Sequence, residues 1–224
     1  MCKGIPIYFL AVAGILAGCH SDAQDSVVIE SEKQIPKVAI LPLIDNSEQV
    51  LDWSLSDEFT YTLCSKLRQQ GALQIASLPH IKSYVRKMKS TYNPFSEDLS
   101  WTKNVFTDEE FVVFLEMVEH REEPHTSSLS LQTTPETLNA DLHICLRLRI
   151  LDLRHETPTI TLQELFQDSH FIPRQFTQYN FHQAAWNTDE FALSPVGIAH
   201  AQLLRQLKER IEDYILLASK ESCR

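Results

Sequence analysis

The chain has 224 residues, of which 43% are hydrophobic, enough to pack the core of one domain of ordinary size. Its formal net charge of -10 makes it, taken whole, a poor ligand for nucleic acid or an anionic membrane surface, since both attract cations. Three of its five glycines precede Cys19, leaving Gly71 and Gly197 in the body of the chain. Two isolated glycines cannot form a phosphate-cradling loop, so neither a P-loop nor a dinucleotide fingerprint is present and no nucleotide or other cofactor is expected.

In chain order, the first feature is a single cation, Lys3, followed by the apolar run Ile5 to Ala17 and the residues Leu16-Ala17-Gly18-Cys19. A basic start, an apolar middle and small residues before a cut site describe an export signal. The run is shorter than the roughly 20 residues of a bilayer span. Leu16 to Cys19 resembles the lipobox of bacterial lipoproteins. That resemblance implies cleavage after Gly18, a diacylglycerol on the thiol of Cys19 and acylation of the new amino terminus. The plainer alternative is a hydrophobic amino-terminal helix with an ordinary cysteine. His20 stands where an aspartate retains many Gram-negative lipoproteins at the inner membrane, so the resemblance leans towards the outer membrane. The expected organisation is a signal peptide at 1–18, a lipidated cysteine with a polar tether at 19–36 and a single periplasmic domain at 37–224. As a flexible coil the tether spans roughly 20–25 Å.

Val38 to Ile44 is a continuous apolar run ending at Asp45-Asn46-Ser47, as expected of a strand buried on both faces, with Pro42 near its end or at a bulge. Leu55, Phe59, Leu63 and Leu67 recur at helical spacing between a serine cap and Gly71. A short strand at Leu73, Ile75 and Ser77 completes a βαβ unit with parallel strands. Pro79 opens a second helix through Ile81, Tyr84, Val85 and Met88, surrounded by Lys82, Arg86, Lys87 and Lys89. This basic cluster fits a solvated helix face; the functional alternative is contact with an acidic partner or lipid headgroups.

Phe111 to Glu119 keeps helical spacing but is rich in strand-forming residues, and the preceding unit calls for a third strand, so a strand is expected. Leu142 to Ile150 alternates apolar residues with His143, Cys145, Arg147 and Arg149, a strand with one polar face, and Thr159 to Gln167 returns as its hairpin partner. Ser194 and Pro195 open a closing helix whose stripe is Val196, Leu203, Leu207, Ile211, Tyr214 and Ala218. The fold class is therefore α/β: a mixed sheet of about five strands with a βαβ start, an antiparallel hairpin, helices packed on the sheet and a closing C-terminal helix.

Candidate chemistry is sparse. Nine histidines include the close pairs His120 with His125 and His143 with Cys145, but neither has a third close ligand or a zinc-site spacing, and no metal is expected. No G-x-S-x-G elbow is present, and no enzyme is expected. Beyond the signal and Cys19 there remain Cys64, Cys145 and Cys223; the first two read as small buried apolar side chains, and whether they pair is left open. The aromatic residues Phe171, Phe176, Tyr179, Phe181, Trp186 and Phe191 fall in a long segment read as irregular. They either pack on their own domain or anchor a partner, with Tyr179, Phe181 and Trp186 the first candidates for docking.

Several stretches together carry a second resemblance. Val38 to Ser47, Gly71 to Ala76, Leu146 to Asp152 and the entry Ser194 to Ala199 are similar to the periplasmic α/β domain shared by the TolB amino-terminal domain, the lipoprotein activator of penicillin-binding proteins and the CsgG curli-secretion lipoprotein. Those marks are packing and turn positions, and the resemblance implies a fold and a cell-envelope setting. The expectation is a lipid-anchored, non-catalytic protein-binding module that meets an envelope protein partner. The alternatives are a homo-oligomeric secretion or pore component, to whose membrane hairpins the composition of Ser127 to Asn139 is ill suited, and a hydrolase with a site built from the long loops.

Overall fold

The computed structural model describes residues 35–47, 51–125, 139–176 and 185–221. From Ile35 onward the described residues belong to one compact unit. The short strands β1 (Lys37–Ile40) and β2 (Ile44–Asp45) flank Pro42, which thus sits where no ladder hydrogen bond is asked of it. Helix α1 (Leu55–Gln70) is capped by Ser54, whose Oγ accepts from the Asp57 N–H at 3.1 Å. Gly71 ends it in the left-handed region at φ 75°, where its N–H reaches the Leu67 carbonyl. Strand β3 (Gln74–Ile75) is shorter than the expected Leu73 to Ser77, because Ser77 already serves as N-cap of α2 (Leu78–Lys87). A short helix, α3 (Thr102–Val105), leads to the three long strands β4 (Phe111–Pro124), β5 (Ala140–Asp152) and β6 (Thr159–Ile172). The chain closes with α4 (Asp189–Leu193) and α5 (Pro195–Glu221).

The sheet has six strands where about five were expected, in the order β3-β1-β4-β5-β6, with β2 paired to β4 beside that path. β1 lies parallel to β3 and to β4, whereas β4, β5 and β6 are antiparallel, so the sheet is mixed and opens with a βαβ unit. β6 runs five residues beyond Gln167, so Phe171 belongs to a strand; Phe191 lies on α4. Both correct the expectation of one irregular segment from Phe171 to Phe191. Of the stretch Ser127 to Asn139, whose composition is ill suited to membrane hairpins, all but Asn139 lies outside the described residues.

Hydrophobic layers form on both faces of the sheet. On one, Val38, Ile40, Val113, Leu115, Leu146, Leu148 and Ile150 meet Phe59, Leu63 and Leu67 of α1 and Leu203, Leu207, Ile211 and Ile215 of α5. Each such fully buried side chain contributes about 1.5–3 kcal/mol. On the other, Ala39, Leu41, Val112, Phe114, Leu151 and Leu153 meet Ile81 and Tyr84 of α2 together with Leu99, Trp101, Val105 and Phe106. The stretch before Phe111 is thus half of a second core, with Tyr92 stacked on Trp101 at 4.6 Å. It also buries Arg149, expected on a polar strand face. The guanidinium of Arg149 donates to the carbonyls of Pro94, Phe95 and Ser96 at 2.9, 3.1 and 2.7 Å, satisfying a charge that burial would otherwise strand.

The entry to α5 explains why its sequence contains glycine. Ser194 Oγ donates to the Phe191 carbonyl at 2.8 Å and accepts from the Gly197 N–H at 3.0 Å, which draws α4 against the first turn of α5. A Cβ on Gly197 would stand 1.9 Å from the Phe191 carbonyl oxygen, inside any van der Waals contact and against backbone that cannot rotate away. Gly197→Ala is expected to lower stability by at least about 2 kcal/mol, measured by urea denaturation. An unchanged midpoint would mean that α4 does not need this close approach.

Candidate functional site

The most unusual chemistry in the fold is a run of polar side chains shut inside the first hydrophobic layer. Glu58 sits in the first turn of α1 on its inward face, between Leu55 and Phe59, and is 2% exposed. His200 occupies the inward stripe of α5 between Val196 and Leu203, and His120 projects from β4. The Glu58 carboxylate accepts from Trp53 Nε1 at 2.7 Å through one oxygen and meets His200 Nδ1 at 2.8 Å through the other. His200 Nε2 then lies 2.7 Å from His120 Nε2. The rings of Phe59 and Phe191 flank His200 at 5.1 and 5.8 Å, and Trp53 meets Phe191 edge-on at 5.1 Å.

A one-residue bulge brings His120 into this line. Met117 pairs with Leu146 while Glu119 pairs with Cys145, so Val118 is an extra residue on β4. Before the bulge, Phe111, Val113, Leu115 and Met117 face α1 and α5; after it the alternation is shifted and His120 faces them. Without that shift His120 would point to the opposite side of the sheet.

The 2.7 Å separation of two ring nitrogens requires one proton between them, so both imidazoles cannot be cationic. Burial, followed by the neighbouring His200, lowers the His120 pKa from 6.5 to about 3, which keeps its ring neutral at physiological pH. The sign of the linked stability follows. The unfolded imidazole takes up a proton near pH 6.5, whereas the folded one does so only near 3, so His120 stability is complete above 6.5 and is lost as pH falls below it. The slope attributable to His120 is about 1.4 kcal/mol for each pH unit in that window. Denaturation curves collected from neutral to acid pH should show this slope, and His120→Phe should remove it. The same slope in both proteins would place the protonation elsewhere.

The residues singled out from the sequence fall differently. Leu16, Ala17, Gly18 and Cys19 lie outside the described residues, as do Tyr179 and Phe181. Trp186 is described: it packs partly buried against the first core layer, its ring edge-on to Tyr61 of α1 at 6.0 Å. Tyr61 itself is 68% exposed, so the pair forms an aromatic step at the surface of α1. Cys64 and Cys145 are both buried and free; burial holds the Cys64 thiol above its ordinary pKa. His120 and His125 separate, whereas His143 and Cys145 stay two residues apart on β5. His125 Nδ1 lies 2.6 Å from Asp141, and His143 stands 3.7 Å from Glu123, whereas His120 points into the core. Among the described residues no group of three histidine, cysteine or acidic side chains is arranged to hold a metal, and no helix is long and apolar enough to cross a membrane.

Sequence inspection missed the Trp53–Glu58–His200–His120 line. A signal was present: Glu58 and His200 each interrupt an apolar helical stripe at an inward position, where a polar residue needs a buried partner.

Among the described residues a second surface is open. β4, β5 and β6 extend past the cover supplied by α2 and the segment before Phe111. There Phe95 lies against the Arg147 guanidinium at 4.5 Å, and Arg147 pairs with Glu116, which also accepts from Asn46 Nδ2 at 2.7 Å. Beyond that cluster Val118, Leu165 and Phe171 are exposed on the sheet.

Solved structures share this architecture. The hypothetical protein CT253 from Chlamydia trachomatis is 22% identical, with a TM-score of 0.60 over 81% of this chain and 98% of its own. Lower similarity extends to bacterial lipoproteins. Lipoprotein GNA1162 from Neisseria meningitidis is 10% identical, with a TM-score of 0.39 over 78% of this chain and 99% of its own. The LpoB C-terminal domain from Salmonella enterica is 10% identical, with a TM-score of 0.37 over 62% and 86%. No curated protein matches the sequence. Residues 27–219 match the Family of unknown function (DUF7499), and the chain belongs to that family.

Proposed function

We propose that this chain is a lipid-anchored protein of the bacterial cell envelope, facing the periplasm, and that it works as a non-catalytic protein-binding module, an adaptor or activator of an envelope machine. The observation that carries the proposal is the run Leu16-Ala17-Gly18-Cys19 behind a short apolar segment with a basic start. Two acyl chains give stable attachment where one does not, at about 0.8 kcal/mol for each buried methylene, so a lipidated Cys19 keeps the domain at a membrane surface. The outer membrane is favoured by His20 in place of a retention aspartate. The tether supplies reach, and the domain supplies the docking surface. The buried histidine line fits this account as a structural device, because its groups bond one another between helix and sheet. Tyr179, Phe181 and Trp186 remain the first docking candidates, and Tyr61 extends them, since it adjoins Trp186 and stands mostly in water.

Two measurements test the proposal. Cells fed a radiolabelled fatty acid should label the wild-type chain and leave Cys19→Ser unlabelled and out of the membrane fraction. Equal labelling of both would remove the anchor. Crosslinking of the full-length protein in living cells, followed by mass spectrometry, should recover a defined foreign envelope protein. Trp186→Ala and Tyr61→Ala should each lower that capture several-fold with an unchanged melting temperature, as expected for aromatic hot spots. Tyr61→Ala is the cleaner variant, because its ring is little used in packing. A ladder of the chain with itself, closing at one large size, would replace the adaptor with a homo-oligomeric ring.

A further inference from the structure

The positive charge of this acidic chain is unevenly placed. Between Phe59 and Ser96 there are six cations, Lys66, Arg68, Lys82, Arg86, Lys87 and Lys89, and not one aspartate or glutamate. Four of the six belong to α2 and the two residues after it, and all four side chains are exposed. Ile81 and Tyr84 fix which side of α2 faces inward, since both are buried in the second core layer. The outward stripe that remains carries Leu78, Lys82, Val85 and Arg86, and its two apolar members are 62% and 43% exposed. A cationic helix face with uncovered apolar side chains has the composition of a helix that lies on a bilayer.

Position within the fold points the same way. The Tyr84 hydroxyl donates to Glu109 Oε1 at 3.2 Å; burial, aided by Asp108, raises the Glu109 pKa against this hydrogen bond, His80 and Lys37, which act to lower it. The next residue, Glu110, accepts the Lys37 N–H through its carboxylate at 2.9 Å and donates its own N–H to the Lys37 carbonyl at 2.9 Å. α2 therefore lies beside the point where the chain enters the domain from the segment carrying Cys19. Glu109 is engaged by Tyr84, on the inward side of α2, and Glu110 by Lys37, while Asp108 beside them is exposed and acts on Tyr84.

We propose that the outward face of α2 docks on the anionic headgroups of the membrane that holds the anchor, and so sets the orientation of the domain. The proposal rests on the lipid-anchor reading for its geometry, though the docking itself requires only a nearby bilayer. Net charge does not oppose it. At physiological salt the Debye length is about 8 Å, so acidic groups on the far side of the domain are screened from the contact. Each lysine or arginine close to an anionic surface shifts the equilibrium by roughly five-fold, and the exposed leucine and valine add an apolar contribution. An acidic protein partner would use the same cations but would not call for a position beside Lys37, where the chain enters the domain.

The test uses a chain beginning at His20, which retains every residue of both core layers, with an amino-terminal hexahistidine tag that binds nickel-chelating lipid in place of the acyl anchor. Val85→Cys carries an environment-sensitive fluorophore, and Cys223→Ser leaves Cys64 and Cys145, both buried, as the native thiols. On tethered vesicles of equal parts phosphatidylglycerol and phosphatidylethanolamine, emission should shift to the blue. On phosphatidylcholine vesicles it should not. Salt at about 0.5 M should reverse the shift, and the combined Lys82→Glu, Arg86→Glu and Lys89→Glu variant should lower the docking constant at least roughly hundred-fold with an unchanged circular dichroism spectrum. The same emission on both vesicles overturns the proposal, and a shift that survives charge reversal removes these cations from it. Because nickel lipid replaces acylation, these outcomes are independent of the fatty-acid labelling of Cys19.

Discussion

A carboxylate shut away from water must find its partners inside the protein, and much of this fold is arranged around the partners of Glu58. One oxygen takes the indole N–H of Trp53, just ahead of α1, and the other takes His200 from the second turn of the closing helix. His200 passes the requirement on to His120 of the sheet. Three elements far apart in sequence are thereby held in one register, α1 against α5 and both against β4. Apolar packing alone would tolerate small slips between these elements. A hydrogen-bonded line of this kind does not, because each slip strands a buried polar group.

The sheet supports this line by changing alternation once. Up to Met117, β4 presents apolar residues to α1 and α5 in strict alternation. The extra residue at Val118 shifts the next turn of the pleat, so that His120 faces the helices and Glu119 and Arg121 face away. The same region marks the end of the second core layer. Up to Arg149 and Arg147 the opposite face is closed by α2 and the segment bearing Phe95, and beyond them the sheet is open. Among the described residues, one end of the sheet is thus covered on both faces and the other on one.

This asymmetry suits a tethered domain. The chain enters at Lys37, at the end covered on both faces, where α2 concentrates positive charge in an otherwise acidic protein. The extended strands β4, β5 and β6 lead away from that entry and leave Leu165 and Phe171 uncovered. In the proposed setting the basic end approaches the membrane, and the acidic groups of the rest of the domain lie beyond the reach of its surface charge.

Much of this was legible in the residues. The helices announce themselves through Ser54, Gly71, Ser194 and Pro195, because capping and turn conformation are settled within a few residues. Five apolar residues alternating from Leu142 to Ile150 define a strand for the same reason, and the apolar-rich start of β4 was correctly taken for one. The fate of Arg149, the second core built from the stretch before Phe111 and the meeting of Glu58, His200 and His120 were decided only in three dimensions. Each depends on contacts between segments some fifty to more than a hundred residues apart, and one of them on a bulge that reverses side-chain alternation. Local sequence determines which element forms and where it ends; the face a polar side chain occupies, and what meets it there, is set by packing between distant elements, since burial is a property of the assembled layers.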